Sequence, residues 1–282
     1  PLPASASHVG PVPDDPRRWG LGDVWMGILV ANVAVAAVFV GITEGGGYDD
    51  IDDLPMWLFA AVNAPLHLGL AVVAVWAVTE KGRGVLRDLR FDVRFSDAGT
   101  GVLTGVLAQL VLVPAVTFPI VWLTDQNTDD VSESARELAD RANTTTGVLA
   151  LIFTTCILAP IVEELFFRGL ALGAFKKRAN LVWLTMLMPI DRRPDASGRR
   201  WNLWWAVILS SVIFSAVHLS ALLFPALFAV GVVFAVLAER AGRLGPAIWA
   251  HVAFNGVTII SLLALDNDDA LGIVPGLLVS AF

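Results

Sequence analysis

Long apolar stretches, broken only by short charged ones, recur from Val24 to Leu265, and that alternation leaves few folds open. About 20 consecutive apolar residues, wound as a helix, cover the ~30 Å hydrocarbon core of a bilayer. With 56% hydrophobic and 16% charged residues and a mean hydropathy of +0.70, the chain is too apolar for a water-soluble globule. It reads as all-α, a polytopic transmembrane helical bundle of seven or eight spans.

The predicted spans are Val24–Ile42, Leu54–Val78, Ala98–Leu123, Thr146 to about Phe175, Trp201–Leu219, Leu222–Ala238 and Leu244–Leu265. Residues 179–190 are apolar but too short to cross, and read as an interfacial or re-entrant helix. Met186 and Met188 there suit either a lateral substrate gate or a filler helix. The tail 270–282 reads as a truncated eighth span, and Ser132–Arg141 as a short capped helix in a loop. Residues 1–23 read as a flexible cytoplasmic arm with no cleavable signal, leaving 24–282 as a single transmembrane domain. The one cysteine, Cys156, lies in an apolar run and permits no intrachain disulfide.

Charge sorting orients the bundle. Of the 19 Lys and Arg, Arg136 and Arg141 fall in loops on one side and Arg168 within a span; all others fall on the side of the N-terminus. The positive-inside rule therefore predicts a cytoplasmic N-terminus. Trp25, Trp57, Trp76, Trp122, Trp201, Trp204 and Trp205 sit near predicted span ends, as an aromatic belt requires. The segment Lys81–Phe95 interleaves arginines with Leu86, Leu89, Phe91, Val93 and Phe95. Attachment to anionic lipid and a solvated topology determinant explain it equally well. No internal repeat, Gly-rich phosphate loop or nucleic-acid motif is present, so the lipid bilayer is an expected partner and nucleic acid is not. Nothing in the pattern fixes an oligomeric state.

The chemistry concentrates in Pro160-Ile-Val-Glu163-Glu164-Leu-Phe-Phe-Arg168-Gly169, inside the fourth span. A charged residue near a bilayer centre costs at least ~2.5–3.5 kcal/mol on insertion scales, so three together need a reason. Glu164 and Arg168 are i and i+4 on one helical face and can pair. Glu163 is turned about 100° from Glu164 and stays free to address something else. Two more polar clusters lie within spans: Phe214-Ser-Ala-Val-His218 and His251-Val-Ala-Phe-Asn255. A lone histidine in an apolar helix is most often structural. Two histidines, an asparagine and a spare glutamate on three spans are best satisfied around one cavity.

That set suits hydrolysis. A desolvated carboxylate is a stronger base toward water, and a neighbouring histidine can share the proton. Histidine and amide donors can stabilise a developing oxyanion. The same groups could instead hold zinc, since two histidines and a carboxylate plus water is a known catalytic coordination. No His-Glu-x-x-His helix favours that choice.

Glu163-Glu164-x-x-x-Arg168, Phe214-x-x-x-His218 and His251-x-x-x-Asn255, in that order on successive spans, resemble the motifs of the CAAX-protease and bacteriocin-processing (CPBP, or Abi) family of intramembrane endopeptidases. The resemblance covers about residues 100–265. It implies that Glu163, with His218, activates the attacking water, that His251 and Asn255 stabilise the tetrahedral oxyanion, and that Glu164, Arg168 and Phe214 support the site. It implies no cofactor in a glutamate-type mechanism, or zinc on Glu163, His218 and His251 in a metal-dependent one. It also implies a membrane-embedded peptide or protein substrate. The short loops and plain architecture read as those of a bacterial or archaeal plasma-membrane protein, with the site in the membrane toward the cytoplasmic half. The competing readings are a non-catalytic scaffold or immunity protein of the same fold, and a proton-coupled transporter.

Counting residues sets one geometric problem. Glu163 lies about 20 Å along its helix from Lys176 and His218 about 25 Å from Trp201, yet His251 only about 12 Å from Arg243. These depths meet only if helices tilt or one of them starts below the interface.

Overall fold

The computed structural model describes residues 19–46, 54–124, 141–178 and 196–265, and every regular element among them is helical. The helices are α1 (Leu21–Gly46), α2 (Met56–Glu80), α3 (Phe95–Leu123), α4 (Thr145–Arg178), α5 (Ala196–Ala216), α6 (Phe224–Ala241) and α7 (Gly245–Leu265). Six of them are long and apolar enough to cross a membrane, and the apolar part of α5, Trp201–Ala216, is shorter. The protein is an integral membrane helical bundle. By this measure it has six spans among the described residues, against the seven or eight expected. The expected re-entrant helix at 179–190 and the eighth span at 270–282 lie outside the described residues, as does most of the loop helix Ser132–Arg141.

Small residues set the closest helix crossings. A Cβ on Gly101 or Gly105 of α3 would run into Trp249, Pro246 and the Ala250 carbonyl of α7, and Gly69 of α2 lies on Ala31 of α1. Contacts of this kind replace the hydrophobic drive that lipid removes. The α1–α2 hairpin and the α3–α7 pair flank α4, and α5 and α6 pack together beside it.

α5 ends sooner than expected. Leu219 adopts φ +55°, which terminates the helical run. Ser215 Oγ donates to the Phe224 carbonyl at 2.6 Å, closing the turn into α6. His218 therefore sits in a turn, not inside a span.

The basic segment leading from α2 into α3 is exposed at Leu86, Val93 and Phe95, and its middle is anchored to the bundle. Leu89 is fully buried against Gly169, and Arg90, at φ +56°, donates to the Arg168 carbonyl at 3.2 Å. The first residues of α7 bond to this segment: Leu244 N–H donates to Arg90 O at 3.0 Å and Gly245 N–H to Asp92 O at 3.1 Å. An Asp97–Arg243 ion pair and an Arg90–Glu239 pair at 2.7 Å complete the seam. α7 therefore starts at the level of Arg168, while α4 runs on to Arg178, about 15 Å further at 1.5 Å per residue. That offset resolves the depth problem.

The expected arm is also shorter than 1–23. Trp19 is buried, its indole N–H donates to Asp88 at 3.1 Å, and the Lys177 ammonium lies over its ring. Asp23 pairs with Lys81.

Candidate active site

α4 is wound unevenly, and the irregularity begins the site. Phe153–Leu158 and Glu164–Ala171 are π-helical, so N–H groups reach back five residues. In that register Ala159 N–H bonds Thr154 O. The next acceptor, Thr155 O, would take its hydrogen from residue 160, which is proline and has none. Asn255 of α7 fills the gap: its Nδ2 donates to Thr155 O at 2.7 Å.

Glu164 and Arg168 are both buried, with 0% and 1% of the side chain exposed. They pair at 2.9 Å between Nη1 and Oε1, as their spacing predicts. The same Glu164 oxygen takes a hydrogen bond from His251 Nδ1 at 2.9 Å. Arg168 also donates to the Gly231 carbonyl at 3.4 Å. Its guanidinium lies 4.2 Å from the centre of the Phe214 ring, where cation–π attraction adds to the pairing. Two carboxylates abut in sequence, and one of them holds an arginine and a histidine through its Oε1.

Glu163 is the other. Its Oε2 is buried without a hydrogen-bond partner among the described residues, and buried polar atoms rarely stay so. His251 Nε2 stands 3.8 Å from that oxygen, beyond direct hydrogen-bond reach. His218 Nδ1 stands 2.7 Å from the Phe214 carbonyl. A carbonyl only accepts, so Nδ1 carries the hydrogen and the Nε2 of the neutral ring is an acceptor. The Phe214 ring, 5.0 Å from that of His218 and 6.0 Å from that of His251, packs between the two.

Glu163 and His218 line one cavity of about 280 Å³, with Thr154, Thr155 and Phe167 of α4. His251 and Asn255 are buried behind that wall, not on it. Six of the residues singled out from sequence, Glu163, Glu164, Arg168, Phe214, His218 and His251, thus converge, while Asn255 is tied to the α4 backbone. The opposite wall carries Asn32, Asn63 and His67 from α1 and α2, which sequence reasoning passed over. The i, i+4 spacing of Asn63 and His67 inside an apolar span was the available signal. As for a metal, no three His, Cys, Asp or Glu side chains among the described residues stand close enough to hold one ion. Glu163, His218 and His251 as placed do not form a zinc ligand set, and no step below runs through zinc.

Residues 145–257, which hold every one of these motifs, match the family model described as type II CAAX prenyl endopeptidase, Rce1-like. A Bacillus subtilis (strain 168) protein named "Putative membrane peptidase YdiL" is 28% identical over 117 residues, covering 42% of this chain and 39% of that protein. The shared stretch thus spans well under half of that relative. No solved structure matches the chain. The three intramembrane motifs and the family match coincide on α4 through α7, so this part of the chain is similar to the Rce1-like type II CAAX prenyl endopeptidases.

Proposed function

We propose that the protein is an intramembrane endopeptidase that hydrolyses a peptide bond of a membrane-associated segment, with Glu163 as the general base. The observation that carries this reading is the Glu163 carboxylate. It is unclaimed by Arg168, partnerless at Oε2 and on the wall of a cavity it shares with His218. Water between Glu163 and the Nε2 of His218 gives up a proton to Glu163 as its oxygen attacks the scissile carbonyl carbon. The oxyanion that forms is met by the His251 side chain, which the Glu164 carboxylate orients through Nδ1 at 2.9 Å, as a buried carboxylate does behind a catalytic histidine. Collapse of the intermediate breaks the C–N bond, and Glu163 returns the proton to the leaving amine. Asn255 has one amide hydrogen committed to Thr155, so any contribution to the oxyanion comes from the second. By charge sorting, the basic ends of the helices face the cytoplasm.

The test is proteolysis of a membrane-embedded peptide library by the purified protein and its Glu163→Gln variant, each with and without a strong chelator. Cleavage that requires Glu163 and survives chelation supports the reading. Cleavage lost to chelator and restored by zinc overturns the metal-free mechanism, and equal cleavage by both proteins overturns the role of Glu163.

A further inference from the structure

α1 and α2 lie outside the stretch that matches the family, yet they close the cavity opposite Glu163 and His218. Three polar side chains stand in that wall: Asn32, Asn63 and His67. Each commits a nitrogen to the carbonyl four residues back in its own helix. Asn32 Nδ2 donates to Ile28 O at 2.8 Å and Asn63 Nδ2 to Phe59 O at 2.9 Å. His67 Nδ1 stands 3.3 Å from Asn63 O. Because a carbonyl only accepts, these contacts fix which amide atom is nitrogen and which ring nitrogen bears the hydrogen. The two amide oxygens and the His67 Nε2 remain as acceptors that neither helix uses.

Any peptide attacked in this cavity needs such acceptors. A helical segment has every N–H paired internally, and its carbonyl carbons are screened by the next turn. Attack requires local unwinding, which leaves N–H groups without partners in a water-poor space. The cavity, about 280 Å³, is at the small end of ligand sites and holds an unwound stretch of backbone more readily than a helix about 10–12 Å across. Its occupant is therefore extended.

We infer that Asn32, Asn63 and His67 form a substrate subsite that receives the backbone N–H groups of an extended peptide flanking the scissile bond. This rests on the endopeptidase reading and gives it a substrate requirement. Residues beside the cut must carry an N–H, so proline or an N-methylated residue is refused there. The three side chains position substrate and take no part in bond breaking.

The experiment separates binding from hydrolysis. A farnesylated CAAX peptide bearing a benzophenone is photo-cross-linked, in phosphatidylcholine vesicles, to full-length Glu163→Gln protein, with and without Asn63→Leu plus His67→Phe. The same pair of substitutions is placed in protein with Glu163 intact and assayed with a fluorogenic version of the peptide. The expected result is a KM raised about tenfold with kcat within about twofold, and cross-linking reduced in parallel. Asn63→Gln with His67→Gln, which keep acceptors, should recover most of the loss. N-methylating a flanking amide should weaken wild-type binding but weaken the apolar variant no further. Folded variants with unchanged KM and unchanged cross-linking overturn the subsite. Cross-linking that depends on His67 without cleavage by wild type supports the subsite while overturning the endopeptidase reading.

Discussion

Asn255 donates to the main-chain carbonyl of Thr155, the one that Pro160, five residues on, has no N–H to reach. An intramembrane amide thereby repairs a defect that a proline makes in the neighbouring helix. Asn255→Leu leaves that carbonyl buried and unpaired, and we expect a loss of about 1–3 kcal/mol in thermal unfolding. Pro160→Ala supplies the missing N–H, so the same Asn255→Leu change should cost less in that background. A double-mutant cycle with no coupling would show the two residues to be independent.

The adjacent glutamates should separate cleanly. Glu164→Gln leaves the buried Arg168 guanidinium without its counter-charge, and removing one partner of a buried pair typically costs about 3–5 kcal/mol. Glu163→Gln loses no ion pair with Arg168, so its melting temperature should stay near wild type. Hydrolysis by that variant should fall by at least ~10²-fold, the usual worth of a general base. Melting curves and turnover on the same two preparations check both halves.

Much of this site was legible because polar groups are conspicuous in apolar helices. Glu163, Glu164, Arg168, His218, His251 and Asn255 stand out against lipid-compatible neighbours, and the i, i+4 spacing of Glu164 and Arg168 gave their pairing. Asn63 and His67 carried the same kind of signal, but with no charge beside them they read as incidental. The π-turns did not show, because they follow from what Pro160 lacks and what another helix supplies. The packed part of Lys81–Phe95 did not show for a related reason. Arginines alternating with Leu and Phe read alike at a membrane surface and in a packed seam, and only tertiary contacts tell Arg90 under Arg168 from an arginine in water.

Close packing of α3 on α7 predicts a steric effect at a distance from the chemistry. Gly105→Val drives a side chain into the Ala250 carbonyl and should displace the helix that carries His251 and Asn255. We expect about 1–3 kcal/mol of overpacking and a fall in turnover out of proportion to it. Gly99→Ala on the same helix meets nothing within 4 Å and should be neutral or slightly stabilising, by up to ~1 kcal/mol. Equal effects of the two substitutions on melting and turnover would contradict the packing described.

Asp88 makes the basic seam acid-sensitive. Burial pushes its carboxyl up, but the Arg83 backbone N–H, the Arg83 guanidinium and the Trp19 indole together outweigh that and hold it below the ordinary carboxylate value. With the folded value depressed, the contribution to stability is fully present above the unfolded value, near 3.9, and is lost as pH falls through the folded one. Melting temperature should therefore drop on the acid side below about pH 4. Asp88→Asn should lower it at neutral pH and flatten that acid limb. A variant with the wild-type pH profile would exclude Asp88 as the source.

α7 rests on the anchored segment and on α3, and it is the last of the described helices to leave the ribosome. The partner of Glu164 at His251 and the support for Thr155 at Asn255 both arrive with it. A nascent chain holding only α1 through α6 has Glu163 and the cavity wall but no second histidine, and its Arg168–Glu164 pair lacks a neighbour. On the proposed endopeptidase reading, competence therefore waits for α7, and a chain still short of that helix cannot act on the membrane in which it is being assembled.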